Sequence, residues 1–97
     1  MEQRIVLKLA YEGTAYHGFQ KQEGLSTIAG TVEEQLRSLF PWKMENFIGA
    51  SRTDQGVHAL CNLLSFDTEG KVSGEQILRA LNSYLPEDIR VMEAYSV

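Results

Sequence analysis

An α+β domain with the element order β-α-β-β-α-β is the fold class this sequence predicts. Three observations predict it. Apolar residues alternate with polar ones over residues 3 to 12, and a longer run from Val57 to Thr68 carries apolar residues on both faces, as an edge-to-centre set of strands requires. Two other segments carry apolar residues at helical spacing, each opened by a capping pattern and closed by proline. At 97 residues and 43% hydrophobic content, the chain can bury one core and is not composed like a disordered segment.

Residues 3 to 12 form the first predicted strand. Ile5, Leu7, Leu9 and Tyr11 point one way and Arg4, Val6, Lys8 and Ala10 the other. Lys8 interrupts the apolar run, so it reads as a strand and not as the core of a signal peptide. A loop bearing Gly13, Gly18 and Gly24 follows. Thr31-Val32-Glu33-Glu34 matches a capping box and predicts that a helix opens at Thr31. Val32, Leu36, Leu39 and Phe40 give this helix its apolar stripe, Glu33 and Arg37 are spaced to pair, and Pro41 stops it.

Glu45 to Ser51 predicts a short strand, and Val57 to Thr68 a long one. In the long strand Val57, Ala59, Cys61 and Leu63 share one face, while Leu60, Leu64 and Phe66 share the other. Apolar residues on both faces predict a central strand. Ser73-Gly74-Glu75-Gln76 caps a second helix with the stripe Ile77, Leu78, Leu81, Tyr84 and Leu85, ended by Pro86. Ile89 to Val97 is the last strand. This order is that of the ferredoxin-like split βαβ arrangement, with two helices on one face of a four-stranded antiparallel sheet and the other face open.

Composition narrows the function. Nine cations against thirteen anions give a net charge of −4. Phosphate neutralisation supplies most of the affinity of a nucleic-acid-binding domain, so this balance argues against tight, unaided binding of RNA or DNA. No stretch approaches the ~20 apolar residues of a membrane span. The single cysteine, Cys61, has no internal disulfide partner and reads as a buried thiol in a reducing cytosol.

Two segments carry candidate chemistry. Arg52-Thr53-Asp54-Gln55-Gly56-Val57-His58-Ala59 packs an acid, two basic side chains and a glycine between two apolar stretches. No second carboxylate stands nearby for a paired-acid mechanism, and Asp54, His58 and Cys61 lack the clustered spacing of a zinc site. Ser51 is not in a nucleophile elbow. One carboxylate with a guanidinium two residues earlier remains. Arg52 in that position would hold Asp54 ionised, available as a nucleophile or base. The alternative is a turn in which Asp54 caps backbone amides and Arg52 is a solvated charge. The second segment, Tyr11 to Gln22, mixes Tyr16, His17 and Phe19 with Gln20, Lys21 and Gln22. It is no phosphate loop. Its composition suits stacking on bases and hydrogen bonding to them, or equally a loop packed on the sheet edge.

Taken together, these segments resemble the tRNA pseudouridine synthase A family. The matching residues are Tyr11-Glu12-Gly13-Thr14-x-Tyr16-x-Gly18-Phe19-Gln20-x-Gln22, Thr31-Val32-Glu33, Arg52-Thr53-Asp54-x-Gly56-Val57-His58-Ala59 and Leu85-Pro86-x-Asp88-Ile89. The resemblance runs from about Ile5 to Val91. It implies a cytoplasmic enzyme that converts uridine to pseudouridine in tRNA, characteristically in the anticodon stem-loop, without cofactor or metal. It makes Asp54 the essential catalytic residue and Arg52 a holder of the flipped-out nucleotide. Thr53, Gln55, Gly56 and His58, with Tyr16, Phe19, Gln20 and Gln22, are the further substrate-binding positions. Members of the family have two similar ferredoxin-like halves with the active site between them, and the longer enzyme is expected as a homodimer. Residues 1–97 correspond to the N-terminal, aspartate-bearing half. The C-terminal half, which supplies a tyrosine that packs on the base and a basic residue that pairs with the aspartate, is absent. The chain alone is therefore expected to bind tRNA weakly or not at all. The other readings are a non-catalytic ferredoxin-like domain that binds a partner through its open sheet face, and a small hydrolase of the acylphosphatase type. The second is disfavoured by the absence of a phosphate-cradling loop with its arginine after the first strand.

Overall fold

The computed structural model describes residues 3–18, 24–49 and 59–97. Alternation sets the first strand, β1 (Gln3–Tyr11), in which Ile5, Leu7, Leu9 and Tyr11 are buried. A single 3-10 turn at Gly13–Ala15 leads towards helix α1 (Ile28–Leu39). Strands β2 (Met44–Gly49) and β3 (Ala59–Thr68) follow, then helix α2 (Gly74–Tyr84) and strand β4 (Ile89–Ser96). The sheet order is β2-β3-β1-β4 and every pairing is antiparallel. This is the ferredoxin-like split βαβ arrangement expected from the sequence.

One core fills the space between sheet and helices. Ile5, Leu7, Leu9, Leu64 and Phe66 from the two central strands meet Ile28, Val32 and Leu36 of α1 and Ile77 and Leu81 of α2. Both helices therefore lie on the face that carries Ile5 and Leu7. The other face presents Arg4, Val6, Lys8, Leu63 and Ser65, and Arg4 there makes a two-point ion pair with Asp67 directly across the β1–β3 register (Nε to Oδ1 2.9 Å, Nη2 to Oδ2 3.4 Å). Asn46, which adopts a left-handed backbone conformation (φ 58°) where β2 slips against β3, donates to the same carboxylate at 2.9 Å. Asparagine tolerates that conformation better than most residues.

Helix α1 begins a turn earlier than the sequence pattern indicates. Thr27, not Thr31, is the N-cap, and its hydroxyl accepts from the Gly30 amide at 3.1 Å. Thr31 sits inside the helix with its hydroxyl turned back onto the Thr27 carbonyl at 2.8 Å. Burial decides the boundary, because Ile28 and Ala29 enter the core only if the first turn is already helical. The expected Glu33–Arg37 pair is present at 3.3 Å. Phe40 caps the C-terminus ahead of Pro41.

Helix α2 starts as expected. The Gln76 amide donates to Ser73 Oγ at 3.2 Å, and the Ser73 amide donates to Gln76 Oε1 at 3.1 Å. Its stripe differs at one position: Tyr84 is 63% exposed. The cause is Asn82, whose amide group makes two hydrogen bonds to the Val91 backbone of β4, at 2.9 and 2.8 Å. Asn82 must face the sheet, and Tyr84, two residues on, lies about 200° further round the helix.

The start of α2 also lies against β4, where a Cβ on Gly74 would overlap the Ala94 carbonyl. Helix propensity alone favours alanine over glycine by about 1 kcal/mol. Close approach of backbone outweighs that term, because the obstacle is a strand carbonyl and not a flexible side-chain tip. Gly74→Ala is expected to lower stability by about 1–3 kcal/mol in a denaturant titration. A stabilised variant would show that α2 can move off β4 freely.

Candidate functional site

Strand β1 ends at Tyr11, which stands opposite Ala59 of β3 on one side and Ile89 of β4 on the other. Three parts of the chain therefore converge on one end of the sheet. They are the loop leaving β1, the start of β3 just after the Arg52–His58 run, and the Pro86–Asp88 turn into β4.

Buried hydrogen bonds hold this end together. The Tyr11 ring is 5% exposed, and its hydroxyl accepts from Asn62 Nδ2 at 3.1 Å. Asn62 is itself buried on the face of β3 shared by Leu64 and Phe66, and its Oδ1 takes the Leu63 amide at 2.9 Å. A polar side chain at such a position needs these partners, since leaving one unmade costs about 1–3 kcal/mol. The Glu12 amide donates to the Asp88 carbonyl at 2.9 Å, and the Tyr16 hydroxyl donates to Asp88 Oδ1 at 2.7 Å. Burial of the ring raises the Tyr16 phenol above its ordinary range, and the bond to Asp88 adds to this.

Beyond Tyr16 the chain enters a closed neck. The His17 amide donates to the Ser26 carbonyl at 2.7 Å, and the Ile28 amide donates to the Gly18 carbonyl at 3.1 Å. The second bond satisfies an amide in the first turn of α1 that has no partner within the helix. Gly18 has φ 92° and is buried, a conformation that a side chain would strain.

Of the site positions expected from the sequence, Tyr16 is placed as above. Arg52, Thr53, Asp54, Gln55, Gly56, His58, Phe19, Gln20 and Gln22 lie outside the described residues. The same is true of the Cys61 side chain. Asp88 and Asn62 are the site-building residues that the sequence reading passed over. The Leu85–Ile89 motif contained Asp88, but nothing local ties it to a tyrosine 72 positions away. Asn62 was detectable as a polar residue set between Leu60 and Leu64 on a mostly apolar strand face.

Among the described residues, carboxylates gather beside the turn into β4. Glu12, Pro86, Glu87 and Asp88 line an open depression of about 500 Å³. Elsewhere, Arg4, Lys8, Arg37, Lys43 and Arg79 each stand against a carboxylate. Among the described residues no three His, Cys, Asp or Glu gather as a metal site, and no helix is long and apolar enough to cross a membrane.

Comparison with known proteins adds a family. Residues 9–97 match the family model described as tRNA pseudouridine synthase. A protein of Caldicellulosiruptor bescii named tRNA pseudouridine synthase A is 44% identical over 90 residues, covering 93% of this chain and 36% of the relative. The protein of that name from Acetivibrio thermocellus is 42% identical over 93 residues, covering 96% of this chain and 38% of its own length. One from Clostridium tetani, named tRNA pseudouridine synthase A 2, is 40% identical over 99 residues, covering the whole of this chain and 40% of the relative. The chain thus spans about two-fifths or less of the length of these relatives.

The raised Tyr16 phenol has a consequence for stability. Its proton is held more tightly in the folded chain than in the unfolded one, where the group titrates near 10.0. The stabilisation is complete below that pH and is lost as pH rises through and beyond it. Denaturant titrations between pH 8 and about 11 are expected to show a steeper fall for the wild type than for Tyr16→Phe. Equal slopes would mean that the phenol is not held by the fold.

Proposed function

The chain belongs to the tRNA pseudouridine synthase family, and from that premise we propose that it is the aspartate-bearing part of an enzyme that isomerises uridine to pseudouridine in the anticodon stem-loop of tRNA. The observation that carries this is the family match over residues 9–97, which takes in both the Tyr11–Gln22 segment and the Arg52–His58 run.

The chemistry asks little beyond a placed carboxylate. The bond from ribose C1′ to uracil N1 breaks, the ring turns, and a bond forms from C1′ to C5. A proton leaves C5 and N1 ends protonated, so atoms and electrons balance with no oxidant or co-substrate. Asp54 is the group that attacks or takes the proton, and Arg52 beside it favours its ionised form and holds the extruded nucleotide. A base within a stem or loop must first leave its stack, and side chains such as Thr53, Gln55, His58, Phe19, Gln20 and Gln22 are suited to receive it. Tyr16, bonded to Asp88, supports this by holding the chain that leads towards Phe19. A second ferredoxin-like half completes the site, a homodimer is the expected assembly, and the cytoplasm is where such a tRNA substrate is met.

Two measurements test the reading. In the protein expressed from its natural reading frame, Asp54→Ala is expected to abolish release of tritium from tRNA labelled at uracil C5, with the fold unchanged by circular dichroism. Robust release by that variant would overturn the catalytic assignment. Residues 1–97 alone are expected to show no turnover and no nanomolar tRNA binding, because their net charge of −4 opposes it. Tight binding by this fragment would contradict the charge argument.

A further inference from the structure

Asp88 has no place in the reaction proposed above, yet the loop after β1 is tied to it twice. Its carbonyl takes the Glu12 amide at 2.9 Å and its carboxylate takes the Tyr16 hydroxyl at 2.7 Å. A single anchor at Glu12 would leave the chain free to pivot about that point. The second anchor, four residues on, removes the pivot. The Tyr16 bond is charge-assisted and therefore stronger than a neutral one, and the ring that carries it is 7% exposed within the core. The neck lies immediately beyond, closed by His17 to Ser26 and by Ile28 to Gly18. With φ 92° at Gly18, the chain changes direction there, so a small rotation at Tyr16 becomes a displacement at the neck.

Resting on the pseudouridine synthase reading, we infer that Asp88 is a positioning residue. Through the Tyr16 hydroxyl it sets where the His17–Gly18 neck stands, and thereby how well the enzyme engages its RNA. The acidic depression supports a supporting role over direct contact. Glu12 and Glu87 share it with Asp88, and a phosphate backbone is repelled from three carboxylates. Asp88 thus acts on the Tyr16 side and not on the RNA.

The test uses Tyr16→Phe, Asp88→Ala, Asp88→Asn and the Tyr16→Phe/Asp88→Ala double variant in the protein from its natural reading frame, with unmodified tRNA as the probe. Loss of one hydrogen bond to a charged group is expected to raise KM for tRNA about tenfold, with kcat altered much less. The double variant is expected to be no worse than the poorer single one, because both remove the same contact. Asp88→Asn, which keeps an acceptor oxygen, is expected to recover most of the loss. Amide exchange supplies a readout independent of activity: His17 and Ile28 are expected to exchange faster in Tyr16→Phe and Asp88→Ala, while α2 keeps its protection. Folded variants with unchanged KM, additive losses, a lowered Tm as the sole effect, or full protection at His17 and Ile28 would each overturn the inference. Wild-type protein that releases no tritium from tRNA labelled at uracil C5 would instead overturn the pseudouridine reading, and the exchange result would still decide whether Asp88 holds the neck.

Discussion

The antiparallel pairing of β1 with β3 is the constraint on which everything else rests. It runs from Gln3 opposite Thr68 to Leu9 opposite Asn62 and brings Ile5, Leu7, Leu9, Leu64 and Phe66 onto one face. Each of these side chains contributes about 1.5–3 kcal/mol by leaving water. A slip of one residue would turn all of β1 over, exposing the leucines and burying Arg4 and Lys8. Register is pinned on both faces as well. Arg4 meets Asp67 on the open face, and Tyr11 meets Asn62 on the buried one. Since β1 also pairs with β4, its C-terminal end fixes the starting points of two other strands at once. The loops of the candidate site are attached there.

Tyr11 and Tyr16 show how the pairing is extended into a loop. Each ring enters the core, and each hydroxyl then requires a partner, because a buried polar group without one is costly. Asn62 supplies one and Asp88 the other. Apolar residues of similar size would fill the same space but would not specify direction. A hydrogen bond does, and a network of satisfied polar groups favours one arrangement over near alternatives. Tyr16, which a composition-based reading offers to RNA bases, has its ring in the core and its hydroxyl on Asp88.

The fold was legible because its signals are local. Alternation identified β1, apolar residues on both faces identified β3 as a central strand, and Ser73 with Gln76 marked the start of α2 within one residue. Where a second local pattern imitated the first, the reading slipped: Thr31 and Glu34 have the form of a capping box, whereas the true cap at Thr27 has Gly30 in place of the carboxylate or amide that would have announced it. Tyr84 was misplaced for a different reason. Its helical stripe is rotated by Asn82 reaching the Val91 backbone, and no periodicity contains that contact. Asp88 and Tyr16 are 72 positions apart, so their bond leaves no trace in either neighbourhood. Asp54 stood out by residue type, yet residue types alone left a plain turn open, and only the resemblance of several ordered motifs to one family favoured a reaction centre.

Charge assigns the labour within the proposed enzyme. Exposed ion pairs contribute little, about 0–1 kcal/mol, so an RNA phosphate can in principle displace a carboxylate from Arg4, Lys8 or Arg79. The displaced carboxylate stays attached to the same surface, however, and repels the phosphate that replaced it. At Arg4 the exchange also breaks a two-point contact and leaves Asp67 with Asn46 alone. Counterion release favours binding only where cations are uncompensated, and the acidic depression beside Asp88 adds repulsion at the end of the sheet where the loops meet. In the proposed reading, then, this part of the enzyme contributes Asp54, Arg52 beside it and a rigid frame. Most of the grip on the rest of the tRNA has to be built from positive charge carried elsewhere.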